Sequence, residues 1–172
     1  MIITTTDFIG EYQVPATRYS NLDLYINKYS KLYLERLFGV ELYKLFEADL
    51  VDGVPVLDRF VVLFNALSFD KDGCVYQSEG IKQMLVEFIY YHFTVESQLY
   101  NTSTGTMSTD SELSKPKPYA NNIISAYNKA VSNSRVIQYY ILENKDDYTE
   151  ENIQEISYID GIWSNEKKQL IL

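Results

Sequence analysis

Two side chains of the types that most often act as a catalytic base or nucleophile occur once each in this chain: His92 and Cys74. His92 lies in the run YYHF of a strongly apolar segment, where a hydrogen-bonded histidine at the edge of the core is expected rather than a general base. Nothing beside Cys74 in the sequence marks it as a reactive thiol. Covalent and acid–base catalysis need a nucleophile, a base and groups that position them. The sequence therefore predicts no catalytic residues and a protein that is not an enzyme.

Acidic residues form two groups that resemble metal sites at first sight. The stretch DKDG at 70–73 starts like a calcium loop, but an EF-hand has Gly at its sixth position and Glu at its twelfth. Here Gly is fourth and Ile81 is twelfth, which favours a turn. The acidic run at 143–151 is interrupted by Lys145 and favours a solvated connection. GxGxxG, GxxxxGK[ST] and HExxH do not occur, so we expect no metal and no cofactor.

Composition predicts one globular domain. The chain has 172 residues, 46% of them hydrophobic and 23% charged, with a net charge of −9. An acidic chain repels phosphate backbones, so nucleic-acid recognition is not expected. One cysteine excludes an internal disulfide and fits a reducing compartment. We find no signal peptide and no apolar run long enough for a membrane span, and expect a soluble protein folded in a cytoplasm, without a membrane partner.

Apolar residues recur at helical spacing in five segments, which must position any site. The first begins at residue 20 or 21 and ends at Gly39, and it should form a helical hairpin with the second, at 40–50. The others are at 56–67, 78–100 and 119–144. Short β-formers around the Asp72-Gly73 turn predict a small hairpin, and Asp160-Gly161 predicts another. The fold class is mostly α, a compact bundle of about five helices with small β-hairpins.

A polar segment, NTSTGTMSTDSELSKPKP at 101–118, separates the two strongest helices. Loops of this length without structure of their own are uncommon and tend to be functional or disordered. We predict a long protruding loop at 101–115, in which Gly105 permits a tight reversal and Met107 and Leu113 are the apolar anchors. Two interpretations stay open: an arm that adds a strand to a neighbouring subunit, or a mobile surface loop without a partner.

Several stretches together resemble a known family. They are YSKLYLERLFGVELYKLFEADL, then SEGIKQMLVEFIYYHF, then the polar segment with TGTMS, then KPKPYANNIISAYNKAV and QYYILEN. This order resembles the head-tail connectors of tailed bacteriophages, in particular the neck or ring proteins of phages of Bacteroidota, including the crAss-like group. The resemblance covers residues 18–145 and rests on the spacing and aromatic character of several helices rather than on one motif.

The resemblance implies a structural virion protein of the neck, without catalytic activity and assembled in the host cytoplasm. Such subunits form a homo-oligomeric ring, usually of twelve copies, that binds the portal protein on one side and an adjacent neck or tail protein on the other. Packaged DNA passes through the ring without sequence-specific binding. The acidic balance is compatible with that role, because an acidic lumen does not grip phosphates. A ring contact joins two unlike patches of neighbouring copies.

On this basis the single domain, 1–172, divides into an N-terminal arm at 1–17, a helical core at 18–145 and a C-terminal arm at 146–172. Trp163 is either a core residue or an interface anchor. The alternative hypothesis is a small non-enzymatic adaptor or regulatory protein that binds one protein partner through a tyrosine-rich face, since the chain has 16 Tyr. We expect most of these tyrosines to close the edge of the core. The predicted subunit or partner contacts are Thr104, Gly105, Met107, Leu113, Tyr158 and Trp163.

Overall fold

The computed structural model describes residues 1–96, 99–102, 105–108 and 119–148, and in these ranges the fold is mostly helical. The helices are α1 (Tyr19–Asp49), α2 (Asp58–Phe64), α3 (Gly80–Glu96), α4 (Tyr119–Glu143) and α5 (Lys145–Tyr148). The strands are β1 (Leu50–Val51), β2 (Val54–Pro55), β3 (Leu67–Lys71), β4 (Cys74–Ser78), β5 (Leu99–Thr102) and β6 (Gly105–Ser108). The predicted fold class, mostly α with five helices and small β-hairpins, is confirmed for the described residues.

Helix α1 contains a sharp kink at Gly39. The backbone there has φ 74° and ψ 167°, a conformation open almost only to glycine. The helical backbone is therefore interrupted at Gly39, as predicted. The two segments follow each other directly, so that α1 is one helix with a kink. The apolar stripe predicted for the first segment is buried at Leu22, Ile26, Tyr33 and Leu37.

Helices α3 and α4 form the centre of the bundle, and α1 packs across α3. The ring of Phe88 on α3 stacks on Tyr33 of α1 at 3.9 Å between centroids and meets Tyr127 of α4 edge-on at 5.5 Å. Phe88 has no exposed surface. One buried aromatic side chain thus joins the three long helices.

Two hairpins turn at Asp-Gly pairs. Asp52 and Gly53 have φ of 52° and 84°, and Asp72 and Gly73 have φ of 51° and 75°. Positive φ at both central residues is the type I′ turn that suits two-residue hairpins, and Asp-Gly is among its preferred sequences. The antiparallel pairing of β3 with β4 places Phe69 opposite Tyr76. The hairpin predicted at DKDG, rather than a calcium loop, is confirmed.

Helix α2 is shorter than the segment 56–67 predicted from periodicity. The carboxylate of Asp49 accepts hydrogen bonds from the backbone N–H groups of Val56, at 2.9 Å, and Leu57, at 3.0 Å. The chain at these residues is held extended, so the helix begins only at Asp58. Leu57 is consequently 48% exposed, whereas Leu63 within the helix is buried.

The prediction of an N-terminal arm at 1–17 is wrong. Ile3, Phe8, Tyr12 and Val14 are all buried in the core formed with the helices. Short 3₁₀ turns at Thr5–Asp7 and Gly10–Tyr12 lie among these residues, and because such turns lack a long hydrophobic repeat, the periodicity of the sequence did not reveal the buried side chains. The first residues are part of the folded body.

The described chain ends at Tyr148, whose side chain is buried. Most of the predicted C-terminal arm at 146–172, including the hairpin at Asp160-Gly161, lies outside the described residues. None of the described helices is long and apolar enough to cross a membrane.

Candidate functional site

The segment predicted to be a protruding loop contains a β-hairpin. Strands β5 and β6 pair antiparallel, with Tyr100 opposite Met107 and Thr102 opposite Gly105. Gly105 is therefore the first residue of a strand. The hairpin lies in the connection between α3 and α4, the two helices at the centre of the bundle. The Thr and Ser residues of this segment favour extended conformation or turns.

The structure places the backbone of two of the six predicted contact residues. Gly105 and Met107 both lie on β6. Thr104, Leu113, Tyr158 and Trp163 lie outside the described residues.

Each strand of this hairpin has only the other as a ladder partner within the described part of the chain. A two-stranded ladder presents backbone N–H and C=O groups along both outer edges, and such edges are templates for pairing with another chain. An isolated hairpin of this size is also marginally stable in water. The element is thus suited to gaining order and hydrogen bonds from a neighbour.

His92 is half-buried on α3 and engaged on both ring nitrogens. The Tyr33 hydroxyl lies 2.6 Å from Nε2, and Glu96 Oε1 lies 3.4 Å from Nδ1. The ring also stacks on Tyr29 at 3.9 Å between centroids. These contacts tie α3 to α1 and agree with the predicted edge-of-core histidine. Cys74, the other candidate for chemistry, is exposed at the start of β4.

The tyrosines mostly close the core, as expected. Twelve of them have described side chains, and none of those twelve is fully exposed. Burial raises the pKa of the Tyr33 hydroxyl, and burial also raises the pKa of Tyr29, which donates a hydrogen bond to Glu96. These hydroxyls stay protonated at neutral pH and take part in hydrogen bonds between α1 and α3. The described tyrosines therefore do not form a wide exposed face.

The buried carboxyl group of Glu87 is of a kind found in functional sites, and it was not predicted from the sequence. Glu87 on α3 is 1% exposed. Its Oε1 accepts hydrogen bonds from the Tyr12 hydroxyl at 3.2 Å and from Gln83 Nε2 at 3.3 Å, and its Oε2 accepts one from Asn133 Nδ2 at 2.9 Å. Asn133 in turn accepts the backbone N–H of Glu79 through Oδ1 at 2.9 Å. The signal in the sequence was a lone acidic residue inside the apolar run MLVEFI.

Burial raises the pKa of Glu87 to about 7, although the hydrogen bonds from Gln83 and Asn133 act in the opposite direction. A raised carboxyl pKa often marks an active site. Here the group is enclosed by α3, α4 and the N-terminal turn, and an open cleft of about 490 Å³ reaches Asn133 without being lined by Glu87. The geometry fits a polar link between elements rather than a group that touches a substrate.

Within the described residues, acidic side chains do not converge on a cation site. Over the described ranges, no group of three or more His, Cys, Asp or Glu residues has the arrangement of a metal site. Lys71 on β3 pairs with Glu143 at the end of α4, which joins the hairpin to the helix. The described part of the acidic run thus makes a structural contact.

Comparison with protein-family models, with curated proteins and with solved structures found no match to this chain.

Proposed function

We propose that this protein is a structural subunit of a bacteriophage neck, a ring-forming head-tail connector that binds the portal protein and completes the DNA-filled head. The proposal rests on the resemblance of residues 18–145 to such connectors. The observation that supports it best is the hairpin β5–β6, placed between the two central helices and pairing only with itself among the described elements. A connector subunit needs an element of this kind to reach a neighbour.

The proposed contact between neighbouring subunits forms by strand addition. A neighbouring copy that pairs with the outer edge of β5 or β6 satisfies backbone groups and needs few specific side chains. Because a ring contact is heterologous, the edge meets a different surface of the next copy and the rotation closes the circle. The net charge of −9 is compatible with a lumen that DNA passes.

The alternative, an adaptor that binds one partner through a tyrosine-rich face, has less support. Among the tyrosines whose side chains are described, seven are buried and five half-buried, which leaves little aromatic surface for a partner. Its signature remains a stable one-to-one complex with a protein that is not part of a virion.

The test is assembly with the cognate portal protein. We expect native mass spectrometry of the co-expressed pair to show a closed ring of this chain, of about twelve copies, on the portal. Thr106→Pro removes a backbone donor from the middle of β6 and should prevent the ring, because proline cannot pair within a ladder. Thr106→Val keeps the β-branched shape and the donor, and should assemble normally.

Deletion of residues 103–111 should act like Thr106→Pro, leaving the circular dichroism of the helices unchanged while assembly is lost. Normal rings from both variants would refute the role of the hairpin. Failure of the unaltered chain to bind the portal would refute the proposed function itself.

A further inference from the structure

Four large apolar side chains are exposed together around the first hairpin. Val51 is 60% exposed, Val54 52%, Val56 61% and Leu57 48%. Val51 and Val54 are directly opposite each other across β1 and β2. Val54 and Val56 flank the buried Pro55, and since side chains alternate in an extended chain, they point to the same side. We call these four residues the valine patch.

The valine patch is held in place by the backbone. The type I′ turn at Asp52-Gly53 fixes the two strands, and the Asp49 carboxylate binds the N–H groups of Val56 and Leu57. The side chains are therefore presented by an ordered surface. Contiguous exposed apolar residues of this kind mark a surface that something covers.

The described chain ends beside this patch. The Tyr148 hydroxyl donates a hydrogen bond to the backbone carbonyl of Arg59 at 2.7 Å, and Arg59 Nη1 donates one to the carbonyl of Asp147 at 2.9 Å. The Tyr148 ring also contacts that of Phe60 at 6.3 Å between centroids. Arg59 and Phe60 belong to the first turn of α2, which begins directly after Leu57.

The chain that follows Tyr148 carries apolar residues at short intervals. After the acidic start of residues 149–172, isoleucines occur at every third position, at Ile153, Ile156, Ile159 and Ile162, and Trp163 follows. Ile153 lies five positions after Tyr148, and an extended chain covers about 16 Å over that length. The segment can thus reach the valine patch, which starts within a few residues of the anchor at Arg59.

We propose that residues 153–163 of the same chain bind the valine patch, with the isoleucines and Trp163 supplying the apolar contact. Tethering at Tyr148 makes the association intramolecular, so that a modest apolar contact suffices without another molecule. The proposal concerns the isolated chain and holds whether or not a ring forms.

Trp163 provides the probe, because it is the one tryptophan of the chain. In the full chain we expect its emission to be blue-shifted relative to the unfolded chain and protected from acrylamide. Val54→Glu should move the emission toward that of the unfolded chain and raise the acrylamide quenching. The matched control is Val75→Glu, at a valine that is 63% exposed on β4, and it should leave both unchanged.

Three results would overturn the proposal. They are an emission of the unaltered chain equal to that of the unfolded chain, an equal response to Val54→Glu and Val75→Glu, and a blue shift that disappears on dilution. The last would assign the patch to another copy of the chain. Far-UV circular dichroism of each variant must remain that of the unaltered protein for the comparison to hold.

Discussion

Replacing Glu87 with glutamine should change how the stability of the protein depends on pH. Glu87 is 1% exposed, and burial raises its pKa to about 7 from an ordinary value of 4.5. Glutamine has nearly the same shape and no charge at any pH. The substitution therefore removes the ionisation while it keeps most of the packing against Tyr12 and Asn133.

The size of the expected change in stability follows from the difference between the pKa of Glu87 in the folded chain and its pKa in the unfolded chain. Each unit corresponds to about 1.36 kcal/mol, so a shift of about 2.5 units corresponds to about 3 kcal/mol. Below pH 4.5 the carboxyl is protonated in the folded and the unfolded chain, and it adds no pH dependence. Between pH 4.5 and about 7 the folded chain keeps a proton that the unfolded chain releases, so stability falls as pH rises. Well above pH 7 the carboxyl of Glu87 is ionised in both states, and the loss of stability is complete.

The assay is urea unfolding, followed by circular dichroism, of the unaltered protein and Glu87→Gln at pH 4.5, 6 and 8. We expect the free energy of unfolding of the variant, minus that of the unaltered protein, to rise by about 3 kcal/mol from the lowest to the highest pH. The difference between the two proteins isolates Glu87 because most other carboxyl groups titrate alike in both. A difference that stays constant over this range would refute the reasoning.

Glu96→Gln is a control of opposite sign. Burial alone would raise the pKa of Glu96, but the Tyr29 hydroxyl, Lys28 and His92 outweigh it, and the pKa is lowered. Its contribution to stability is present above the ordinary carboxyl pKa and is lost as pH falls through the lowered value. The free energy of unfolding of Glu96→Gln, minus that of the unaltered protein, should therefore fall with rising pH.

Three further substitutions test other parts of the structure. Gly39→Ala forces a side chain into the kink of α1 at φ 74°, and should lower the free energy of unfolding in urea by about 1–3 kcal/mol; no change would contradict the kink. Asn133→Ala removes a donor to the ionised form of Glu87, and should raise the pKa of Glu87, followed by carboxyl ¹³C NMR, whereas a lower pKa would contradict the network. Tyr148→Phe removes the hydrogen bond to Arg59, and should lower the melting temperature through a loss of about 1 kcal/mol, and an unchanged melting curve would show that this anchor is unimportant.

The sequence was most informative where one physical preference dominates. Helices α3 and α4 carry apolar residues at strict helical spacing, and Ile123, Ala130 and Ile137 are buried as that spacing predicts. The hairpin turn at Asp72-Gly73 and the kink at Gly39 each require positive φ, which a local sequence reveals directly. These features depend on neighbouring residues alone.

Features that depend on distant partners were not predictable in the same way. Helix α2 starts late because Asp49, on another helix, binds the backbone N–H groups before it. Residues 1–17 enter the core because Phe8 and Tyr12 find space against helices far along the chain. The pairing of Tyr12 with Glu87 spans 75 positions. The periodic spacing of apolar residues in the sequence does not indicate such contacts.

The candidate site shows both situations. Residues 101–115 were predicted to form a long protruding loop, and the structure places the hairpin β5–β6 over part of that segment. The predicted contacts that the structure does not describe stay predictions: Thr104, Leu113, Tyr158 and Trp163. What they contact depends on surfaces that a single sequence does not encode locally.

Electron microscopy of the phage particle in which we propose that this chain assembles is the most direct test of the proposed function. We predict a closed ring of density below the portal, and the bundle of α1, α3 and α4 should fit into each subunit of this ring. The hairpin β5–β6 should lie against the next copy. A neck without density for this chain, or a chain bound one-to-one to a protein outside the virion, would contradict it.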